Sequence, residues 1–144
     1  MSLLVADNSN YSHIQWNTPI SSLIRDDFVL EDDYATTHTT IEDALSHRSG
    51  MPRHDISYGG TYDDHEGTPR DLVRALRYLP LTAEPRTKFQ YCNMMYITIS
   101  HVIETVTGTW LGDYLKEKIW GPLEMNSTVS RIFSLLIHVT VARK

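Results

Sequence analysis

The chain has 144 residues, of which 41% are hydrophobic and 22% charged, the profile of a folded domain rather than a disordered segment. Its 13 Lys and Arg against 18 Asp and Glu give a formal charge of −5, which excludes the cationic footprint that binding a nucleic-acid backbone requires. A single cysteine, Cys92, excludes an internal disulfide and leaves the cellular compartment open, and no apolar run approaches the roughly 20 residues of a membrane-spanning helix.

Met1-Ser2-Leu3-Leu4-Val5-Ala6 reads as the last turn of an apolar helix whose beginning is missing. It meets Asp7 too early, and lacks the basic lead, to be a secretory signal. From Asp7 to Thr39 the chain is polar and turn-rich, and it reads as an irregular surface connection. The acidic group Asp26, Asp27, Glu31, Asp32 and Asp33 is expected to form a solvated face of that connection. Thr40, with Asp43 three residues on, signals a capped helix over about 41–48, which Gly50 and Pro52 close. Residues 53–67 are rich in Gly and Asp and predict a loop.

Thr68-Pro69 with Asp71 repeats the start signal, and Leu72, Val73, Leu76 and Leu79 form an apolar stripe that Pro80 ends. The run from Met94 to Thr107 places Met95, Ile99, Val102, Ile103 and Val106 on one helical face, with Gly108 as the stop. Trp110, Leu111, Tyr114, Leu115 and Ile119 mark a last amphipathic helix before Gly121-Pro122. Trp110, Trp120 and the Met94-Met95 pair read as core packing. The composition changes abruptly near residue 129. For the tail 129–144 a β-strand, an interfacial segment and a gene-model artefact all remain open.

Two stretches carry chemistry. Tyr91-Cys92-Asn93, led in by Glu84 to Gln90 and followed by the longest apolar helix, resembles the Tyr-x-Asn element of serine β-lactamases and penicillin-binding proteins. Thr40-Ile41-Glu42-Asp43-Ala44-Leu45-Ser46-His47-Arg48-Ser49-Gly50-Met51-Pro52 resembles the segment that precedes it in the class C-related branch of that family. The resemblance covers residues 1–128 and implies a mainly α fragment, the helical lobe of an α+β serine β-lactamase/transpeptidase-like fold.

In that family a serine in Ser-x-x-Lys attacks an ester, amide or β-lactam carbonyl, and the motif tyrosine shuttles the proton. By resemblance Tyr91 is the proton shuttle and Asn93 a substrate-binding residue. A free phenol has a pKa near 10, so acting as a base near neutrality needs a shift of about 3 units, about 4 kcal/mol of differential stabilisation. Lysines of Ser-x-x-Lys and of a later Lys-Thr-Gly or His-x-Gly element supply that shift in the family. Here no serine is followed by lysine three residues later, so the nucleophile is absent from the chain. His65-Glu66-Gly67 spells His-x-Gly but precedes Tyr91, the wrong chain order.

Each candidate has a plainer reading. Tyr91 could be a half-buried tyrosine that meets water, and Asn93 the N-cap of the helix that follows it. Cys92 fits as a small hydrophobic filler rather than a nucleophile. By its resemblance to the histidine of the family's His-x-Ser-Gly turn, His47 is expected to hold the turn after its helix. His38, His47, His54, Asp55 and His65 are numerous enough to raise metal binding, but they lack ligand spacing, so no metal or cofactor is expected. Arg86 stands where the family often has glycine after the proline, which puts the loop that aims Tyr91 in question.

The expectation is a truncated β-lactamase-related serine hydrolase of little or no activity alone, whose complete relatives take small ester, amide or β-lactam substrates. A non-catalytic helical binding module derived from the scaffold is the alternative, and reconstitution with a second chain that brings serine and lysine is a third. The helices at 94–107 and 110–119 are expected to have apolar faces only partly covered without the sheet of complete relatives.

Overall fold

A computed structural model describes residues 1–55, 61–62 and 65–129. The chain divides into two compact units, the first spanning Met1–Gly108 and the second beginning at Thr109. The first unit is mainly helical. Its elements are α1 (Ser2–Ala6), α2 (Ile20–Leu23), α3 (Asp33–His38), α4 (Ile41–Leu45), the two-residue strands β1 (Thr61–Tyr62) and β2 (His65–Glu66), α5 (Pro69–Ala75) and α6 (Asn93–Thr107). β1 and β2 pair antiparallel, Thr61 opposite Glu66 and Tyr62 opposite His65, so part of the stretch read as a loop is a small hairpin.

The helix starts form where the capping signals lie. Thr40 accepts from the Asp43 amide while the Asp43 carboxylate accepts from the Thr40 amide, and Thr68 and Asp71 repeat this reciprocal box with Pro69 in the first helical turn. α4 is shorter than expected. It ends at Leu45 because His47 turns into the left-handed region at φ 60°, followed by Gly50 at φ 84°. α6 runs 15 residues to Gly108, whose φ of 66° ends it as the sequence signalled.

The core gathers around α6, which packs on α5, α4 and α2. Met95, Ile99, Val102 and Ile103 are buried at the i, i+4, i+7 and i+8 spacing of one helical face, and Met94 is buried beside them, together with Leu72, Val73 and Leu76 of the α5 segment. Four of the five residues expected on the α6 face, Met95, Ile99, Val102 and Ile103, are therefore covered within this unit, and Val106 is half-buried. Burying each such side chain contributes about 1.5–3 kcal/mol.

Residues 7–39 depart furthest from the sequence reading. Instead of a surface connection they form α2 and α3, and they bury Ile14, Ile20, Ile24, Phe28 and Leu30. Backbone bonds from Ile20 N–H to the Thr39 carbonyl (3.0 Å) and from Glu42 N–H to the Trp16 carbonyl (3.0 Å) hold the segment against the start of α4. The apolar residues are too widely and irregularly spaced to announce themselves as a stripe.

The acidic group is likewise not uniformly solvated. Asp32 caps α3 by accepting from the Ala35 amide at 2.6 Å, and Glu31 accepts from the Leu81 amide at 3.3 Å. Asp27 is buried: Arg70 Nε donates to both its oxygens at 3.0 and 3.2 Å, and His101 Nε2 donates at 2.9 Å. Burial pushes the Asp27 carboxyl up, but the hydrogen bonds from His101 and Arg70 outweigh it and hold the group below its ordinary value.

In the second unit, α7 (Leu111–Leu115) continues into a π-helical turn, Lys116–Trp120. Tyr114 is buried, whereas Trp110 is 53% exposed and so is not the core residue its size suggested. Residues 130–144, the greater part of the divergent tail, lie outside the described residues.

Candidate functional site

The candidate site is a loop docked on a turn. The turn is 46–52, after α4, and the loop is 82–92, before α6. Backbone bonds join them along their length: Thr82 N–H to the Gly50 carbonyl (3.2 Å), Arg86 N–H to the Arg48 carbonyl (2.7 Å) and Gln90 N–H to the His47 carbonyl (2.8 Å). Gln90 Nε2 adds a bond to the Gly50 carbonyl at 2.8 Å. Such close docking explains Gly50. A Cβ at that position would sit 2.1 Å from the Ala83 carbonyl oxygen, and the positive φ independently disfavours any side chain.

Arg86 keeps the loop geometry that glycine would give. Its backbone adopts φ 70°, the left-handed conformation that costs an L-residue about 1–2 kcal/mol. Its side chain offsets that strain by reaching the capping carboxylate of α4: Nε donates to both Asp43 oxygens at 3.0 and 3.1 Å, and a terminal nitrogen donates to the His38 carbonyl at 2.9 Å. The Arg48 guanidinium in turn donates to the Arg86 carbonyl. Burial pushes the Asp43 carboxyl up, yet bonds from Arg86 and Thr40 more than compensate and hold it below the ordinary carboxylate range. One carboxylate thus starts α4 and anchors the loop that carries Tyr91.

His47 holds the other end of the loop. Its Nδ1 accepts from the Cys92 amide at 3.2 Å, which places the neutral ring's proton on Nε2. The ring meets Phe89 edge-on at 5.6 Å and lies tilted against Tyr91 at 4.6 Å and Tyr96 at 5.2 Å. Tyr96 donates its hydroxyl to the Leu45 carbonyl at 3.0 Å, so the aromatic group is tied to the end of α4. The structural role expected for His47 is what the geometry shows.

Within Tyr91-Cys92-Asn93 the three side chains diverge. Tyr91 is 43% exposed, with the Arg53 guanidinium carbon 4.7 Å from its ring centroid. Cys92 is fully buried, and burial pushes its thiol up, which suits filler and not a nucleophile. Asn93 is the first helical residue of α6, with Cys92 in the N-cap position, so the capping role considered for Asn93 does not hold. Its Nδ2 instead donates to Asp55 Oδ1 at 3.2 Å. Asp55 also pairs with Arg53, Nε to Oδ2 3.4 Å.

The structure therefore brings Tyr91 and Asn93 together with two residues that the sequence did not single out for the site, Arg53 and Asp55 in the roles of neighbour and partner. Nothing in residue spacing signals them, since they lie 38 positions from the motif. The other candidates do not converge. His38 stacks on Tyr34 at 4.0 Å, His54 Nε2 lies 3.4 Å from the Pro80 carbonyl oxygen, and the His65 side chain lies outside the description. Among the described residues no group of three His, Cys, Asp or Glu side chains is placed to hold a metal ion, and no helix is long and apolar enough to cross a membrane.

Comparison with known proteins identifies the family of the chain. The sequence model of the Beta-lactamase family matches residues 1–131. An unguisins hydrolase of Aspergillus campestris is 56% identical over 128 residues, 89% of this chain and 24% of that protein. Another from Aspergillus violaceofuscus is 52% identical over 132 residues, 92% of this chain and 23% of that one. Penicillin-binding protein 4* of Bacillus subtilis is 30% identical over 92 residues, 62% of this chain and 20% of that protein.

Among solved structures, D-amino acid amidase from Ochrobactrum anthropi superposes with a TM-score of 0.64 at 27% identity, covering 85% of this chain and 32% of that one. The octameric penicillin-binding protein homologue from Pyrococcus abyssi gives 0.65 at 25% identity, over 87% and 29%. The chain spans about a quarter of the length of the curated relatives it matches. It belongs to the Beta-lactamase family, and it is a helical, hydrolase-like fragment of that penicillin-binding-protein fold.

Proposed function

We propose that the chain is the helical-lobe part of a serine hydrolase that cleaves amide or ester bonds through an acyl-serine intermediate, with Tyr91 as proton shuttle and Asn93 as a substrate-binding residue. Residues 1–128 are its partial catalytic domain and 129–144 a divergent tail. The observation that carries the reading is the motif geometry: Tyr91 stands exposed between His47 and Arg53, Cys92 is buried, and Asn93 opens α6 on the same loop. A phenol so placed can relay a proton between a serine hydroxyl and a leaving group, and an amide beside it can bind a substrate N–H or carbonyl.

The chain lacks Ser-x-x-Lys, so alone it has little or no activity. Its resemblance to unguisins hydrolases makes unguisins the first substrates to test, with amides of D-amino acids next. The test is to sequence the native transcript and express both its full product and the 144-residue chain. The chain alone should neither be acylated by a fluorescent β-lactam nor hydrolyse unguisins. A full product carrying an upstream Ser-x-x-Lys should hydrolyse them, and Tyr91→Phe in it should lower kcat by about 10²–10⁴-fold, the usual worth of a positioned acid–base group. Acylation of the isolated chain, or full activity in Tyr91→Phe, would refute the assignment. A transcript without Ser-x-x-Lys would instead turn the search to a binding role.

A further inference from the structure

Tyr91 and Asn93 are joined by more than the backbone between them. The Arg53 guanidinium lies against the Tyr91 ring at 4.7 Å, its Nε pairs with Asp55 Oδ2 at 3.4 Å, and Asp55 Oδ1 accepts from Asn93 Nδ2 at 3.2 Å. These contacts close a loop of four side chains outside the Tyr-Cys-Asn backbone. Arg53 and Asp55 lie one and three residues after Pro52, just beyond the 46–52 turn to which the Tyr91 loop is docked.

We propose that Arg53 and Asp55 are positioning residues for this site: Asp55 sets which way the Asn93 amide faces, and Arg53, held by Asp55, sets the plane of the Tyr91 ring. The proposal rests on reading Tyr91 and Asn93 as site residues. The chemistry of the acceptor carries it. An ionised carboxylate only accepts, so it fixes the nitrogen of the Asn93 amide towards Asp55 and the carbonyl oxygen away from it. With a neutral or missing side chain at residue 55 both orientations of the amide become open, and substrate would meet a mixture of donor and acceptor. The negative charge is also well placed, since it sits at the N-terminus of the 15-residue α6, where the helix dipole favours an anion.

The arrangement matters for orientation rather than for folding. The Arg53 and Asp55 side chains are 61% and 37% exposed, and ion pairs in that setting contribute little to stability. Loss of the pair should therefore appear in turnover and not in the melting temperature, which separates a positioning role from a structural one.

The experiment uses the full-length protein with the substrate it turns over, and compares Arg53→Ala, Arg53→Lys, Asp55→Ala and Asp55→Asn with Tyr91→Phe. Arg53→Ala and Asp55→Ala should lower kcat roughly 10–100-fold, the scale of a misplaced site group, with KM changed less than about three-fold and the melting temperature within about 2 °C. Arg53→Lys should recover part of the loss, because it restores the charge but not the planar guanidinium. Values of kcat within about two-fold of wild type would overturn the proposal, as would losses that track a fall in melting temperature. Tyr91→Phe separates the two ideas: full activity there overturns the site assignment itself, whereas loss there with normal Arg53 and Asp55 variants overturns only the positioning role.

A second readout needs no turnover. In the 144-residue chain, solvent exchange of the Asn93 side-chain amide, followed by NMR, should speed up several-fold in Asp55→Ala. An unchanged rate would overturn the Asp55 half of the proposal.

Discussion

Asp43 and Asp27 are both buried carboxylates, each paired with an arginine from a distant part of the chain, yet they hold different things together. Asp43 belongs to a capping box, and through Arg86 it fastens the loop that carries Tyr91 onto the start of α4. Asp27 caps nothing; through Arg70 and His101 it ties an internal segment to α5 and α6. Asp43 thus governs the aim of the candidate site, and Asp27 the cohesion of the core beneath it. Loop placement and core packing depend on separate ionic centres, and each can be disturbed without the other.

The hardest way to break the loop side is Gly50→Ala. The added carbon would clash with the Ala83 carbonyl and also require a disfavoured φ, so the loss should be at least about 3 kcal/mol in denaturant unfolding. A loss under about 1 kcal/mol would show that the 82–92 loop is not docked as described. On the core side, Asp27→Ala leaves His101 and Arg70 without their acceptor. Loss of one member of a buried pair costs about 3–5 kcal/mol, but Arg70 is half exposed, so about 2–3 kcal/mol is expected. This variant should leave the protease sensitivity of the 82–92 loop unchanged, whereas Asp43→Ala should raise it.

Acid probes both centres together. Each carboxyl has a folded pKa below its unfolded value, so its contribution is complete above the unfolded value near 3.9 and is lost as the pH falls through the lower folded one. For these two groups stability should be flat between pH 7 and 5 and should decline below about pH 4. An Asp27→Asn, Asp43→Asn double variant should show a shallower acid decline in thermal melts. A decline as steep as wild type would assign the acid sensitivity to other carboxylates.

The finest comparison is at Arg86. Arg86→Ala loses the Asp43 pair and keeps the left-handed strain, whereas Arg86→Gly loses the pair and relieves the strain. Glycine should be the more stable of the two by about 1 kcal/mol in matched unfolding curves. Equal stabilities would mean that the loop relaxes out of φ 70° once the arginine is gone.

The same two carboxylates show how far residue order carries. Asp43 was legible, because Thr40 three residues earlier makes it a capping partner, and its burial adds to a role already visible. Asp27 was not, because it sits among five acids and looks like one more solvated charge. The stop at Gly108, the caps at Thr40 and Thr68 and most of the α6 core face were read locally and formed, while the His47 turn, which also formed, was read from the family resemblance. The helices within 7–39 were missed because each is four to six residues long, too short to show a period, and forms only by packing its few apolar residues on the rest of the unit. For the candidate site, the Tyr-x-Asn motif and its flanking turn stood in the sequence, while Arg53, Asp55 and the Arg86 anchor did not.

What the sequence determined by itself is therefore whatever depends on neighbours within about one helical turn: where helices start, where they stop and which face turns inward. The family resemblance belongs with these, since two short ordered motifs carry it, and the match of the Beta-lactamase family model over residues 1–131 shows the membership. Only the tertiary structure decided which of the 13 cations meets which of the 18 acids. Arg86 finds Asp43 across 43 residues, and Arg70 finds Asp27 across 43. Charge alone is degenerate, so such pairs are selected by the backbone that places them, and the backbone is selected by the burial of apolar faces gathered from the whole unit.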